Sequence, residues 1–340
     1  MRKQKGQHYL LKSESKTLSL LDIAQMSDED VFKTFKAMRW KSTNGKPVCP
    51  HCGSEGYHYY LSNYKRWKCC ECRKQFTLTS GTIFSYHKKP LKIYLLAIAI
   101  VTNGAKGYSM LQLSRDLKVQ YKTAFVLSHK IRESIMNHKP VEKLNGEIEM
   151  DVAYFGGFVK QANRIEDRVD LRKKENQSGK RRAILTLKQR GEKGSVKTMT
   201  FMLRTENQTD IDRITKRFVS TNSVIHTDES ESYDILHAYY KVKRVNHSKE
   251  YFNKISKACT NQAESFFARM KRSQKGQHHH WDNRYLPYYA IELAYREDNR
   301  RKDNGSICFD LLFKALHSPK SNEMCGYWQG NKRRFERIGI

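Results

Sequence analysis

The spacing of apolar residues divides the chain near position 145. Before it, the strongest pattern is helical. Residues 90–103 contain the apolar run Ile93-Tyr-Leu-Leu-Ala-Ile-Ala-Ile-Val101, which predicts a buried helix. A break bearing Gly104 and Gly107 follows. Residues 109–117 read as a second helix bracketed by Leu111 and Leu117, with Val119 in the turn after it. Residues 121–132 read as a third, with Ala124, Leu127 and Ile131 on one face. Beyond Pro140 and Asn145-Gly146 the period drops to two. Ile148, Met150 and Val152 alternate with Glu147, Glu149 and Asp151, which predicts a half-buried strand ended by Gly156-Gly157. Residues 182–187 and 196–203 predict two more strands, joined as a hairpin through 191–194. A helix over 209–218, a short buried strand over 223–227 and an amphipathic helix over 260–272 follow.

The order strand, strand, strand, helix, strand is that of an RNase H-like sheet of mixed direction. The fold class expected is multidomain α+β: a small cysteine ribbon, a helix-turn-helix-like helical domain, and an α/β domain built on that sheet. The boundaries expected are 1–40 for a helical lead, 41–85 for the ribbon and 86–140 for the helical domain. The sheet domain takes 145–317, with a basic insert at 158–182, and a basic tail covers 318–340.

Charge points to the partner. The chain has 64 basic and 35 acidic residues, a formal net charge of +29 over 340 residues. Such a surface field fits the phosphate backbone of nucleic acid. Hydrophobic residues at 38% and aromatics at 11% are enough for packed cores, which excludes a disordered basic tail. The same composition disfavours a purely structural adaptor for acidic partners. The basic helix over 121–132 then reads as the second helix of a helix-turn-helix, with Lys122, Thr123, His129, Lys130 and Arg132 toward DNA. The alternative is a helical hairpin with a solvated basic face. Between Lys160 and Lys193 stand twelve basic and five acidic residues, a surplus of seven. This segment is expected to be a solvated loop, or one that orders on DNA.

The run 93–101 is well short of the roughly 18 residues that a membrane span needs, so no membrane partner is expected. The charged N-terminus shows no apolar signal region, so the chain is expected to stay in the cytoplasm. Cysteines there are metal ligands or plain thiols rather than disulfides. Cys49-Pro-His-Cys52 and Cys69-Cys-Glu-Cys72 form two CxxC pairs with 16 residues between them. That spacing suits two tight knuckles closing a tetrahedral thiolate site around one structural Zn2+. Cys49, Cys52, Cys69 and Cys72 are the ligands expected, Cys70 is surplus, and His51 is an outer or solvent-facing residue.

Three acids define the candidate chemistry. Asp151 lies in the first strand of the sheet domain, Asp228 directly follows a short strand, and Glu264 lies on the last helix, with 35 residues between the latter two. Glu229 and Glu231 are close rivals of Asp228. The helix has one apolar stripe, Ala263, Phe266, Phe267 and Met270, and a second stripe of Asn261, Glu264, Ala268 and Lys271. Three carboxylates suit two Mg2+ or Mn2+ ions that clamp the entering and leaving oxygens of an in-line phosphodiester displacement. Asp151 would bridge both ions, with Asp228 and Glu264 holding one each. Lys271 would meet a phosphate, and Asn261 would orient a bound water.

At these residues the chain resembles the bacterial insertion-sequence transposases that join an N-terminal zinc ribbon to a DDE, RNase H-like catalytic domain. The resemblance spans roughly residues 40–301. It is carried by Val48-Cys-Pro-His-Cys-Gly53, Trp67-Lys-Cys-Cys-Glu-Cys-Arg-Lys-Gln-Phe76 and Thr79-Ser-Gly-Thr-Ile-Phe84. It continues through Glu149-Met-Asp-Val-Ala-Tyr-Phe-Gly-Gly157, His226-Thr-Asp228, Val245-Asn-His-Ser248 and Thr260-Asn-Gln-Ala-Glu-Ser-Phe-Phe267. Met270-Lys-Arg272, His279-His280 and Tyr295-Arg-Glu-Asp-Asn-Arg300 complete it.

The resemblance implies a cut-and-join enzyme for its own element, with the triad on Asp151, Asp228 and Glu264 and a basic residue at Lys271. His247 and His280 match further positions, as structural or DNA-contacting groups. Two departures stand out: Phe267, where relatives often have Trp, and the long basic insert after Gly157. Arg181, Arg182 and Arg272 join the candidate DNA contacts. The partners implied are double-stranded DNA, both terminal inverted repeats and target, and a second copy in a homodimer or larger synaptic complex. The competing readings are a catalytically silent DNA-binding regulator derived from such an enzyme, and an RNase H-like structure-specific nuclease.

Overall fold

Ser19 and Ser27 each stand ahead of an acidic first turn, and each starts a helix. Ser19 caps α1 (Leu20–Gln25) in a reciprocal capping box with Asp22, and Ser27 caps α2 (Asp28–Arg39) by accepting the Asp30 N–H. The computed structural model describes residues 9–170, 173–176, 178–191, 194–246, 258–331 and 335–339. They fall into two compact units, Met1–Lys139 with Asn299–Arg333, and Pro140–Asp298 with Arg334–Ile340.

In the first unit, α2 is followed by a three-stranded antiparallel sheet, β1 (His58–Leu61), β2 (Arg66–Cys69) and β3 (Gln75–Phe76). Trp67 of β2 is buried between Phe32 of α2 and Phe76 of β3, stacked at 5.9 and 5.8 Å. The apolar run forms α3 (Leu91–Asn103), and the paired helices are α4 (Met110–Asp116) and α5 (Tyr121–Asn137), joined through Lys118 at φ 49°. A further helix, α9 (Asn304–His317), packs on α2, α3 and α5. The sequence reading assigned 304–317 to the sheet domain. Its buried Cys308, Leu311, Leu312 and Ala315 instead complete the helical core. Nor is the segment after it a free tail: Ser321 donates to buried Glu133 at 2.5 Å, and Tyr327 stacks on Phe125 at 5.2 Å.

The second unit is a mixed five-stranded sheet of order β6-β5-β4-β7-β8. Its strands are β4 (Glu147–Phe155), β5 (Arg182–Gly191), β6 (Gly194–Leu203), β7 (Val224–Thr227) and β8 (Lys241–Arg244). β4 lies at the centre, antiparallel to β5 and parallel to β7. The alternation expected for β4 holds, since successive side chains take opposite faces. Ile148 and Met150 join Leu185, Leu187, Phe201 and Ile225 on the face covered by α6 (Gln208–Phe218) and the 3-10 segment Glu231–Ala238. The opposite face carries Glu149 and Asp151, opposite Lys188 and Thr186 of β5, and α7 (Asn261–Ser273) packs there. A π-turn, Gln274–His278, and α8 (Leu286–Asn299) follow. β8 was not foreseen, because Lys-Val-Lys-Arg reads as a basic loop until it pairs with β7.

Gly157 ends β4 at φ +67°, and a Cβ there would lie 2.9 Å from the Arg181 backbone N. Only glycine lets the two stems of the insert approach so closely. Within the insert the described residues hold one short 3-10 turn, Lys174–Asn176. No helix among the described residues is long and apolar enough to cross a membrane.

Candidate active site

The parallel register of β4 and β7 pairs Glu149 with His226. Two residues further on, the same register brings Asp228, just past the end of β7, level with Asp151. Adjacent strands lie about 4.8 Å apart, so two carboxylates share one edge of the sheet face. Asp228 Oδ1 accepts the Ser230 N–H at 3.1 Å, which fixes the turn after β7. Glu264 sits in the first turn of α7, where its Oε1 accepts the Thr260 hydroxyl at 3.0 Å.

Electrostatics tie these acids together. Burial raises the Asp151 carboxyl to about 7, and repulsion from Asp228, Glu264 and Glu206 adds to it, against the Val152 N–H that donates to Oδ1 at 2.8 Å. Glu206 was not among the expected residues. It lies between β6 and α6 and accepts the Ser230 hydroxyl at 2.7 Å and the Ser232 hydroxyl. Its signal in the sequence is the one that marks Asp228: an acid just beyond a strand end. Tyr233 is fully buried, its hydroxyl has no hydrogen-bond partner among the described residues, and burial together with Glu206, Asp151 and Asp228 pushes its phenol well above the usual range. It stays a protonated donor in a negative field.

The leading charges acting on Asp151 are all negative, and the donors are hard carboxylate oxygens. That combination fits Mg2+ or Mn2+ rather than a thiol-seeking ion. Asp228, Glu264 and Glu206 are the acids whose charges act on Asp151.

A second charged layer lies beneath the acids. Glu149 is 0% exposed. Its Oε2 accepts the N–H groups of Gln262 and Ala263 at 2.7 and 3.1 Å, at the start of α7. Its Oε1 accepts Arg190 Nε at 2.8 Å. Arg190 also donates to Glu147 at 3.0 Å and to the Cys259 carbonyl at 2.7 Å, in the approach to α7. A carboxylate at a helix N-terminus satisfies orphan amides and complements the dipole. The strand that carries Asp151 is thereby fastened to the helix that carries Glu264. Lys188, buried on β5, pairs with Glu297 of α8 at 3.2 Å, and Arg269 of α7 reaches the same carboxylate at 2.7 Å.

The other expected residues part company. Lys271, Arg272 and Asn261 are exposed on α7, and Lys122 and half-buried Thr123 open α5. Arg132 is corrected: it is 2% exposed, and nearby His129 is 1% exposed, because α5 is packed among α3, α4 and α9 rather than standing free as a basic face. Neither presents its side chain to DNA. Lys130 is half-buried, and burial lowers its pKa. Arg182 is held by Glu336 at 2.5 Å, and Arg181 lies over the Tyr154 ring at 4.7 Å. His280 is exposed between α7 and α8. His247 lies outside the described residues.

In the first unit the four expected thiols converge, with all Sγ atoms within 4.8 Å of one another. Cys49 and Cys72 are 3.6 Å apart, and Cys52 and Cys69 are 3.7 Å apart. A tetrahedron with Zn–S bonds of about 2.3 Å has edges of about 3.8 Å, so the set fits structural zinc. Backbone geometry explains why Cys70 is left out. Gly53 N–H donates to the Cys49 carbonyl and Arg73 N–H to the Cys69 carbonyl, and both donors have positive φ, 75° and 62°. The two knuckles superpose Cys49 on Cys69 and Cys52 on Cys72, which puts Cys70 at a spacer position.

Comparison with known proteins follows the same division. Residues 26–75 match the transposase zinc-ribbon domain, and residues 143–298 match the ISXO2-like transposase domain. An uncharacterized protein in transposable element ISH50 of Halobacterium salinarum is 28% identical over 129 residues. That stretch is 37% of this chain and 42% of the relative, so the match spans less than half of either protein. The relative is archaeal, and the resemblance is therefore not confined to bacteria. On the two domain matches, in this order and over more than half of its length, the chain belongs to the IS1595 (ISXO2-like) family of DDE transposases with a zinc-ribbon domain.

Proposed function

We propose that this chain is the transposase of an insertion element, binding the terminal inverted repeats and cutting and rejoining DNA strands with two Mg2+ or Mn2+ ions. The observation that carries the reading is the fastening of the Asp151 strand, through Glu149, to the first turn of the helix that bears Glu264, inside the matched transposase domain. The sheet order, with β4 central and β7 parallel beside it, supports an RNase H-like topology for that domain.

Asp151 would hold both ions, Asp228 one and Glu264 the other. When bound, such ions stabilise charge on the entering and leaving oxygens of an in-line phosphodiester displacement. The attacking group is a water or a DNA 3′-hydroxyl, so no side-chain nucleophile is needed. Glu149 and Arg190 keep Glu264 facing Asp151. Lys271 and Arg272, exposed along α7, meet phosphates near the cut strand. In the helical unit, α4 and α5 act as a helix-turn-helix whose exposed first turn, with Lys122 and Thr123, enters the groove. Joining two ends calls for a dimer or larger synaptic complex.

The test uses DNA from both flanks of the gene. Wild type is expected to cleave and join end-containing duplexes in Mg2+ or Mn2+, and Asp151→Asn to bind those ends without cutting. Full cleavage by Asp151→Asn would overturn the assignment. Nicks without joined products would mark a structure-specific nuclease, and end binding with no nicking in either ion a silent regulator.

A further inference from the structure

A groove of about 960 Å³ opens between α2 and the ribbon strands. Its wall is aromatic: Phe32, Tyr57, Tyr60 and Trp67. Tyr60 lies directly opposite Trp67 in the β1–β2 register, tilted over it at 5.0 Å, yet is 46% exposed. Tyr57 is 71% exposed. Trp67 is already stacked from Phe32 to Phe76, so the wall is rigid. Lys36, Lys46 and Lys65 also line the groove. Lys33 pairs with Glu29 at 3.0 Å, which leaves Glu55 as the acid facing those three lysines.

We infer that this groove binds unpaired nucleotides of a DNA strand, the tyrosine faces stacking on bases and the lysines pairing with phosphates. The inference rests on the DNA-processing reading above and adds a strand-binding site to it. Charge alone would serve duplex DNA equally well. Aromatic faces would not, because a duplex keeps its base faces stacked inside and offers only edges and phosphates. An unpaired nucleotide offers a π-face and a phosphate together, which is the pairing used by single-strand platforms. Strand cutting and transfer at an element's end generate such nucleotides.

The experiment is fluorescence anisotropy with full-length zinc-loaded protein, using an oligothymidylate strand and a blunt end-containing duplex, each over a range of salt. Tyr60→Ala is expected to weaken strand binding roughly tenfold or more and to change duplex binding by less than about twofold. Tyr60→Phe, which keeps the ring, should bind the strand as wild type does. Lys46→Gln should flatten the salt slope for the strand by roughly 0.7. Zinc content measured on each variant reports the ribbon fold. Equal loss on both probes, or wild-type strand binding by Tyr60→Ala, would overturn the inference. If wild type binds the duplex but not the strand, the groove proposal falls and the transposase reading stands. If it binds neither, both fall.

Discussion

Glu149 accepts the backbone N–H of Gln262 at 2.7 Å and so fastens the strand of Asp151 to the helix of Glu264. The same carboxylate is paired with Arg190 at 2.8 Å and is fully buried. Breaking a buried pair by removing one partner costs about 3–5 kcal/mol, because the other charge is left behind. Glu149→Ala should therefore lose about that much in urea unfolding, and Glu149→Gln about 1–3 kcal/mol, since one oxygen still accepts an amide. Where Glu149→Gln folds, Mn2+ titration should show weaker ion binding, because α7 and its Glu264 are held less firmly. Unchanged ion affinity would mean that α7 keeps its position without this contact.

The Asp151 site is expected to be unstable without ions. Folded Asp151 keeps its proton to about 7, whereas unfolded Asp releases it near 3.8. Between those values the folded state binds more protons, so rising pH lowers stability across that window. Asp151→Asn does not titrate and should exceed ion-free wild type by about 1–3 kcal/mol above pH 7. Mg2+ should stabilise wild type and leave the variant unmoved. The reverse order of melting temperatures in chelator would sink this account of the cluster.

His226 gives the opposite pH dependence. It is buried on β7, and burial, then the Arg190 charge, lowers it to about 4, with Lys243 acting the same way and Glu147 opposing. Unfolded His takes a proton near 6.5, so between 6.5 and 4 the unfolded state binds more protons. Stability is then lost as pH falls through that window, by about 1–3 kcal/mol. Replacing His226 with Gln should flatten the acid limb of a pH–stability curve. A limb unchanged in slope would assign acid sensitivity to other groups.

Much of this site can be read from the sequence, because its signals are local. The alternation of Ile148, Met150 and Val152 placed Asp151 on one sheet face, and the paired CxxC spacings picked out four thiols from eight cysteines. What escaped depends on residues far away in the chain. Arg132 looked solvent-facing because α9, which packs on α5, lies more than 170 positions later. Glu149 looked like an ordinary polar position in a half-buried strand, yet its face is closed by α7. Glu206 follows a strand end as Asp228 does, but only the fold shows that its charge acts on Asp151. β8 is charged at three of its four positions and gains its identity from pairing alone.

The knuckle geometry makes the thiols testable one by one. Cys70→Ser should bind one zinc per chain in native mass spectrometry, whereas serine at Cys49, Cys52, Cys69 or Cys72 should lose it and melt the ribbon. Chelation of wild type should do the same. Zinc loss from Cys70→Ser would move the ligand set and undo the superposition of the two knuckles.

The two ends of α5 should respond in opposite ways. Lys122 is exposed in its first turn, and Arg132, further along, is buried. A cation that contacts a phosphate contributes about 0.9 to the salt slope of duplex binding and little to folding. A buried long side chain contributes packing, and its truncation leaves a cavity. Lys122→Ala should reduce the salt slope by about 0.9 at an unchanged melting temperature. Arg132→Ala should cost about 2–3 kcal/mol of stability. The DNA bound by the fraction that remains folded should keep the wild-type salt slope. If Arg132→Ala instead reduced the slope at full stability, α9 would have to leave α5 when DNA binds, and the recognition surface would extend along the whole helix.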